Sequence, residues 1–311
     1  MRGGSNWAVV LAGGEGERLR PFIEQRHGRA IPKQYCAFNG GKTMLEHTME
    51  RVRGVVPECQ IVSVIGRGHR RFLDRTRLPG ETVEQVANRG TLPGILLGLA
   101  HVMAFDPEAS VVILPSDHFM EPLGGVRDLL KESLETARRH SDKLILLAAV
   151  PDEPEPDYGW IERGSALSER TFSVDFFREK PDSARAETFF KDGLLWNTMI
   201  VAVKARTLWE IARVFLPHIV ARFDLLRVAV SLGRGEAMLS FVYEALDAAD
   251  FSRDFLERIP HKSLVLPMTG IRWSDWGRPA RIEQTLKSIS SRPASSAVPL
   301  FIGPALSPLR A

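Results

Sequence analysis

Trp7-Ala8-Val9-Val10-Leu11-Ala12-Gly13-Gly14-Glu15-Gly16-Glu17-Arg18-Leu19-Arg20-Pro21 is the stretch whose reading decides the fold. Trp7–Leu11 is a short apolar run ended by glycines, as a buried strand would be. Gly13, Gly14 and Gly16 let backbone N–H groups curl around a phosphate, and Arg18 adds a charge that cannot be removed. Taken alone, the stretch also fits an ordinary glycine turn between strand and helix. Two familiar phosphate motifs fail on these residues. A dinucleotide fingerprint starting at Gly14 needs glycine or alanine at position 19, where Leu19 stands. Gly41-Lys42-Thr43 ends like a P-loop, but the glycine that motif needs is Cys36.

Outward from this strand, strand-like and helix-like segments alternate. Thr43–Val52 reads as a helix with capping-box spacing between Thr43 and Glu46. Gln60–Ile65 reads as a strand, Leu92–Phe105 as a helix with Thr91 as N-cap, and Val111–Leu114 as a strand leading into Pro115-Ser116-Asp117-His118. Gly125–Arg139 reads as a helix and Lys143–Val150 as a long apolar strand. Such alternation implies a mostly parallel sheet with helices on both faces. The pattern then changes. Pro151–Asp157 reads as a linker or turn, Thr171–Phe177 and Leu194–Lys204 as strands, and residues 206–258 as mainly helical. Ser263–Leu266 reads as a late strand and Arg278–Ser288 as a late helix. The segment 290–311 is a Ser/Pro/Ala-rich tail.

The 311 residues suit one large domain or two small ones, and a net charge of +3 is too weak to argue for nucleic acid. The two cysteines, Cys36 and Cys59, lack metal-ligand spacing and fit a reducing compartment. No signal peptide is visible, and no apolar stretch reaches the ~18 residues of a membrane span. The expectation is a cytoplasmic protein free of nucleic acid and membrane, with a homo-oligomer left open.

Further motifs carry chemistry. Lys33, in Pro32-Lys33-Gln34, is a flexible point charge suited to a triphosphate, although a lone lysine is more often a solvated one. Asp117 follows a predicted parallel strand, where such sheets bind ligands, and carboxylates are what Mg²⁺ prefers; a turn-capping aspartate is the alternative. Asp275, in Trp273-Ser274-Asp275-Trp276-Gly277, offers a second carboxylate, or a turn aspartate between core tryptophans. Tyr158-Gly159-Trp160-Ile161, Arg178-Glu179-Lys180-Pro181 and Leu195-Trp196-Asn197-Thr198 pair hydrogen-bonding groups with a tight backbone, as a sugar site requires. Each alone is better explained as a surface ion pair or a packing aromatic. His69, His101 and His140 have no metal-ligand spacing and read as structural. No nucleophile triad is present.

In this order, and with Asn88-Arg89-Gly90-Thr91-Leu92-Pro93 between them, the motifs resemble the sugar nucleotidyltransferases, specifically bacterial mannose-1-phosphate guanylyltransferases. The likeness runs from about Trp7 to Gly277. It implies an α/β fold of the Rossmann-like nucleotide-diphospho-sugar transferase type, a mostly parallel mixed sheet flanked by helices. It also implies roles. Leu11, Ala12, Gly13, Gly14, Gly16, Arg18, Lys33, Ser116 and Asp117 look like the nucleotide site, with Arg18, Lys33 and Asp117 catalytic. Asn88 and Thr91 fall where the family places the base. Gly159, Glu179, Lys180 and Asn197 look like the sugar-phosphate pocket, and Asp117 and Asp275 look like the ligands of Mg²⁺. The domain would span 1–289, with a nucleotide part of about 1–150 and a sugar-phosphate part of about 151–289.

The implied reaction transfers a nucleotidyl group, GMP from GTP, to mannose 1-phosphate. A related transferase with another base or sugar, and a non-catalytic nucleotide-sugar sensor, are the alternatives. Retention of Arg18, Lys33, Asp117 and Asp275 speaks against the sensor. Departures surround the sugar. Arg20-Pro21-Phe22-Ile23-Glu24 replaces Trp-Pro-Leu-Ser-Arg, and Asn197-Thr198-Met199 lacks the glycine of the usual Asn-Ser-Gly-Met. Asp250-Phe251-Ser252-Arg253-Asp254-Phe255-Leu256-Glu257 replaces the usual Ser-Ile-Asp-Tyr-Ala-Val-Met-Glu. Longer members carry a C-terminal isomerase domain, for which 311 residues leave no room.

Overall fold

The computed structural model describes residues 4–38, 40–73 and 78–290. The tail expected at 290–311 lies, from residue 291 onward, outside the described residues. In chain order the first half supplies β1 (Asn6–Ala12), α1 (Arg20–His27), α2 (Met44–Val52), β2 (Ile61–Ile65), β3 (Glu81–Glu84), α3 (Thr91–Phe105), β4 (Ser110–Pro115), β5 (Phe119–Glu121), α4 (Leu123–Arg139) and β6 (Leu144–Ala149). The second half supplies β7 (Gly159–Ala166), β8 (Phe172–Glu179), α5 (Ser183–Lys191), β9 (Leu195–Lys204), α6 (Ala205–Phe215), α7 (Pro217–Ser231), α8 (Gly235–Glu244), β10 (Ser263–Pro267), β11 (Arg272–Ser274) and α9 (Pro279–Ser290).

The main sheet runs β3-β2-β1-β4-β9-β6-β10-β8-β7. Within it every strand except β8 and β9 points the same way, so the sheet is mixed but mostly parallel. The parts expected at about 1–150 and 151–289 share this one sheet, because β9 lies between β4 and β6.

Strands buried on both faces explain the continuous apolar runs of β4 and β6. Alternate residues of β1 feed two cores. Trp7 and Val9 face α3, α6, α7 and α8, whereas Ala8, Val10 and Ala12 face α2 and α4. A third cluster packs Ile23 of α1 and Ile282 of α9 around Trp276 and Phe119.

The capping box at Thr43 is present, with the Glu46 N–H donating to the Thr43 hydroxyl at 3.2 Å. Thr91 is not the N-cap expected of it. Gly90 takes that place, and the Thr91 hydroxyl is engaged by the chain at Asp250 and Phe251 instead. The predicted helical stretch 206–258 is helical through Glu244, and then becomes a π turn and 3₁₀ turns over Phe251–Arg258. β3, β5, β7, β11 and α5 were not foreseen. Cys36 and Cys59 are both free thiols. Among the described residues, no helix is long and apolar enough to cross a membrane.

Helix α3 lies so close to the sheet that a Cβ on Gly98 would sit 2.4 Å from Val9 Cγ1 and 3.3 Å from Val64 Cγ2. Both neighbours are stiff, β-branched side chains. Gly98→Val is therefore expected to destabilise the fold by about 1–3 kcal/mol. Denaturant unfolding with an unchanged midpoint would contradict this packing.

Candidate active site

Two three-residue strands assemble the centre of the site. β5 begins just after Asp117-His118, β11 ends just before Asp275, and the two pair antiparallel with Ser274 opposite Phe119. This ladder brings together aspartates that are far apart in the chain. The Lys33 ammonium lies between them. It is 2.8 Å from Asp117 Oδ2 and also donates to the Asp275 carbonyl oxygen. Lys33 is buried, and an ammonium out of water must be paired. Burial pushes the Asp117 carboxyl up, but the Lys33 ammonium and His118 overrule it and hold the group below the usual carboxylate range.

His118 and Tyr158 complete this centre, and neither was predicted as a site residue. Burial lowers the His118 pKa to about 4, so its imidazole is neutral at pH 7. The Trp273 indole N–H donates to His118 Nδ1 at 3.2 Å. An indole can only donate, so Nδ1 carries the lone pair and Nε2 the proton, 3.8 Å from Asp117 Oδ1. The Tyr158 hydroxyl donates to Asp275 Oδ1, which also accepts the Gly277 N–H at 2.9 Å. Burial and the Asp275 carboxylate push the Tyr158 phenol above its ordinary range, so it stays a donor.

The glycine loop rises from the end of β1 beside this centre. Gln34, buried, donates through Nε2 to the Ala12 and Gly14 carbonyls at 2.8 Å each. Gly16 has φ +64°, and a Cβ there would lie 3.2 Å from the Lys33 backbone nitrogen. Leu11 accepts the Ser116 N–H at 3.0 Å, which joins the ends of β1 and β4. Arg18 is 65% exposed and reaches Asp157 Oδ2 at 3.3 Å.

That contact belongs to a rail of ion pairs. The segment read as a Pro/Asp/Glu linker presents Glu153, Glu155 and Asp157 to Arg278 and Arg281. Arg281 sits 2.9 Å from the buried Glu155 and 4.9 Å from the Tyr158 ring centroid, which ties α9 to the loop carrying Tyr158.

Next to this lies a pocket lined by Tyr158, Gly159, Glu179, Lys180, Asn197 and Met199, with Arg18, Asp275 and His118 at its border. Glu179 Oε2 is buried without a hydrogen-bond partner. A Cβ on Gly159 would lie 2.5 Å from that oxygen and 3.1 Å from Asn197 Cβ, so a side chain there would displace the Glu179 carboxylate. Burial raises the Glu179 pKa to about 7; Lys180 and Arg253 counter the rise, while Asp250 and Glu257 add to it. Asn197 is already engaged. Its Oδ1 accepts the Met199 N–H at 3.1 Å, and its Nδ2 donates to Ser252 Oγ at 3.2 Å. Where Asn197-Thr198-Met199 departs from the glycine-containing pattern, the backbone still adopts a glycine-like shape, with Met199 at φ +59°.

The structure thus brings together Arg18, Lys33, Asp117, Gly159, Glu179, Lys180, Asn197 and Asp275. Asn88 and Thr91 lie apart, in the segment that joins 249–251. Asn88 Oδ1 accepts the Gly90 N–H at 3.0 Å, and Thr91 Oγ1 accepts the Phe251 N–H at 2.7 Å. Ser116 is buried, and its carbonyl accepts the Thr48 hydroxyl.

Glu179 generates a pH prediction. Its pKa rises from 4.5 to about 7 on folding, so the stability it contributes is complete below about 4.5 and is lost as pH rises through about 7. The effect is on the order of 3 kcal/mol. Glu179→Gln is expected to melt progressively higher than wild type between pH 5 and 8. Parallel melting curves across that range would exclude a buried, raised carboxyl.

Comparison with known proteins agrees with this architecture. The nucleotidyl transferase family profile matches residues 7–289. The mannose-1-phosphate guanylyltransferase ManC of Salmonella typhimurium is 30% identical over 301 residues, which cover 89% of this chain and 58% of that protein. Mannose-1-phosphate guanylyltransferase 2 of Escherichia coli is 28% identical over 297 residues, 87% of this chain and 58% of that one. The chain therefore spans somewhat over half the length of the curated relatives it matches. A crystal structure from Thermus thermophilus, named as a mannose-1-phosphate geranyltransferase, superposes with a TM-score of 0.77 at 26% identity, covering 93% of this chain and 80% of that one. With the match running from the first core strand to α9, the chain belongs to the nucleotidyl transferase family.

Proposed function

We propose that the chain transfers a nucleotidyl group from a nucleoside triphosphate to a sugar 1-phosphate, with GTP and mannose 1-phosphate as its pair. An oxygen of the sugar phosphate attacks the α-phosphorus, the bond from that phosphorus to the bridging oxygen breaks, and pyrophosphate leaves in line. No covalent nucleophile is needed, because positioning and charge neutralisation carry such a transfer. The observation that carries this reading is the buried Lys33 ammonium, joined to both Asp117 and the Asp275 carbonyl beside the glycine loop.

In this reading the loop N–H groups of Gly13, Gly14 and Gly16, together with Arg18 and Lys33, receive the triphosphate. Asn88 and Thr91 border the base through their backbone, since their side-chain oxygens accept N–H groups of the protein. Glu179 Oε2, buried and unpartnered, accepts a sugar hydroxyl, and Lys180 answers the sugar's phosphate. Asp117 and Asp275 suit a hard divalent cation, since Mg²⁺ commonly takes one or two carboxylates and completes its shell with substrate phosphates. Bound there, Mg²⁺ supplies charge neutralisation at the phosphates. The free thiols Cys36 and Cys59 accord with a cytoplasmic protein.

The names of the relatives support the guanylyl and mannosyl assignment. The test is pyrophosphate release from GTP, ATP, UTP and dTTP with mannose, glucose and fucose 1-phosphates, with Mg²⁺ or with chelator. The highest kcat/KM is expected for GTP with mannose 1-phosphate. A higher value for UTP or dTTP overturns the base, and one for glucose 1-phosphate overturns the sugar alone. Asp117→Asn and Asp275→Asn are each expected to lower turnover by orders of magnitude without unfolding the chain. Near-normal turnover in either removes that aspartate from the centre. A charge-assisted contact to phosphate is worth about 1.5–3 kcal/mol, so Lys33→Ala is expected to cost about tenfold or more in turnover or nucleotide affinity. If both are unchanged, Lys33 is only a structural clamp.

A further inference from the structure

Met199 occupies a backbone region that disfavours any residue with a Cβ, at φ +59°. The conformation comes from a bulge in β9. Leu147 pairs with Ile200 but Ala148 pairs with Asn197, so Thr198 and Met199 have no counterparts on β6. Side-chain bonds hold the bulge in place. The Thr198 hydroxyl donates to the Leu147 carbonyl at 2.6 Å, and Asn197 Oδ1 accepts the Met199 N–H. The bulge turns the Met199 side chain onto the wall of the pocket that holds Glu179 and Lys180.

Polar side chains on that wall bond to one another and to Met199. Asn197 Nδ2 donates to Ser252 Oγ at 3.2 Å, and the Ser252 hydroxyl spends its single proton on Met199 Sδ at 3.0 Å. The chain of hydrogen bonds therefore ends in a thioether, which is apolar and a weak acceptor. The unpartnered Glu179 Oε2 and Lys180 line the same pocket. The pocket therefore offers a hydroxyl a partner at Glu179 and only a weak one at Met199.

We propose that Met199 is a specificity-determining residue: its thioether makes the β9 wall of the sugar pocket apolar, so that the accepted sugar 1-phosphate turns a C–H face or a deoxy carbon toward it. This rests on the sugar-1-phosphate reading above. A hydroxyl pressed against the thioether loses its water and gains no partner, which disfavours it by about tenfold or more.

The test compares wild type with Met199→Gly, Met199→Asn and Met199→Ala on matched hydroxyl and deoxy pairs. D-Mannose and D-rhamnose 1-phosphates form one pair; D-galactose and D-fucose 1-phosphates form another. Glucose 1-phosphate adds an epimer. Gly and Asn both tolerate the left-handed backbone, and Asn adds a donor and an acceptor. In both variants the sugar that places a hydroxyl on this wall is expected to gain about tenfold or more in relative kcat/KM, while the KM for the nucleotide stays within about twofold. Met199→Ala keeps the backbone cost but loses the thioether. It is expected to shift selectivity in the same direction while melting below Met199→Gly, which separates strain from recognition. Ratios unchanged within about twofold in an active Met199→Gly, or a shift toward the deoxy sugars, overturn the inference and leave the reaction class intact. Absence of pyrophosphate release by wild type with every sugar 1-phosphate overturns both.

Discussion

An ammonium withdrawn from water must be neutralised where it stands, and in this protein that requirement falls on Lys33. Its neighbours are Asp117 at the exit of β4 and the Asp275 carbonyl at the exit of β11. The β5–β11 ladder supplies the geometry, and the buried charge is the reason the geometry is worth keeping. Tyr158 and His118 then brace the two aspartates from the sides, one through Asp275 Oδ1 and the other through a neutral imidazole held by Trp273. Remove the cation, and two carboxylate-bearing loops lose the group that reconciles them.

Backbone strain follows the same site. Among the described residues, the non-glycine residues with φ in the left-handed region are Lys180, Met199 and Trp276. Lys180 and Met199 line the pocket, and Trp276 follows Asp275 directly. Conformations of this kind persist where surrounding contacts over-determine them. Here those contacts are visible: the Lys180 N–H bonds the Tyr158 carbonyl, Asn197 holds Met199, and Trp276 stacks on Phe119.

Much of the scaffold was legible because it repeats. Strands β1, β4 and β6 are continuous apolar runs, and the capping box at Thr43 stands just before an amphipathic helix. The glycine loop, Lys33, Asp117, Glu179 and Asp275 were legible as chemistry. That the two aspartates meet was implied only by the resemblance, because β5 and β11 are three residues each, too short for any period to register. Thr91 was misread for a related reason. Its position before an apolar run matches an N-cap, but its hydroxyl serves a segment some 160 residues away, and only tertiary structure reveals that. The segment Pro151–Asp157 looked like a linker because acidic and proline residues carry no periodicity, although Glu153, Glu155 and Asp157 there each meet an arginine.

That rail of arginines and acids has two ends in different dielectric surroundings. Arg281 and Glu155 are shielded, with side chains 12% and 3% exposed, whereas Arg18 and Asp157 are 65% and 41% exposed. Mobile ions screen the exposed end within about a Debye length and hardly reach the shielded one. Ionic strength therefore acts on the two ends separately. It loosens the hold of Asp157 on Arg18, freeing that guanidinium for an arriving anion, while α9 stays fastened to the loop that carries Tyr158.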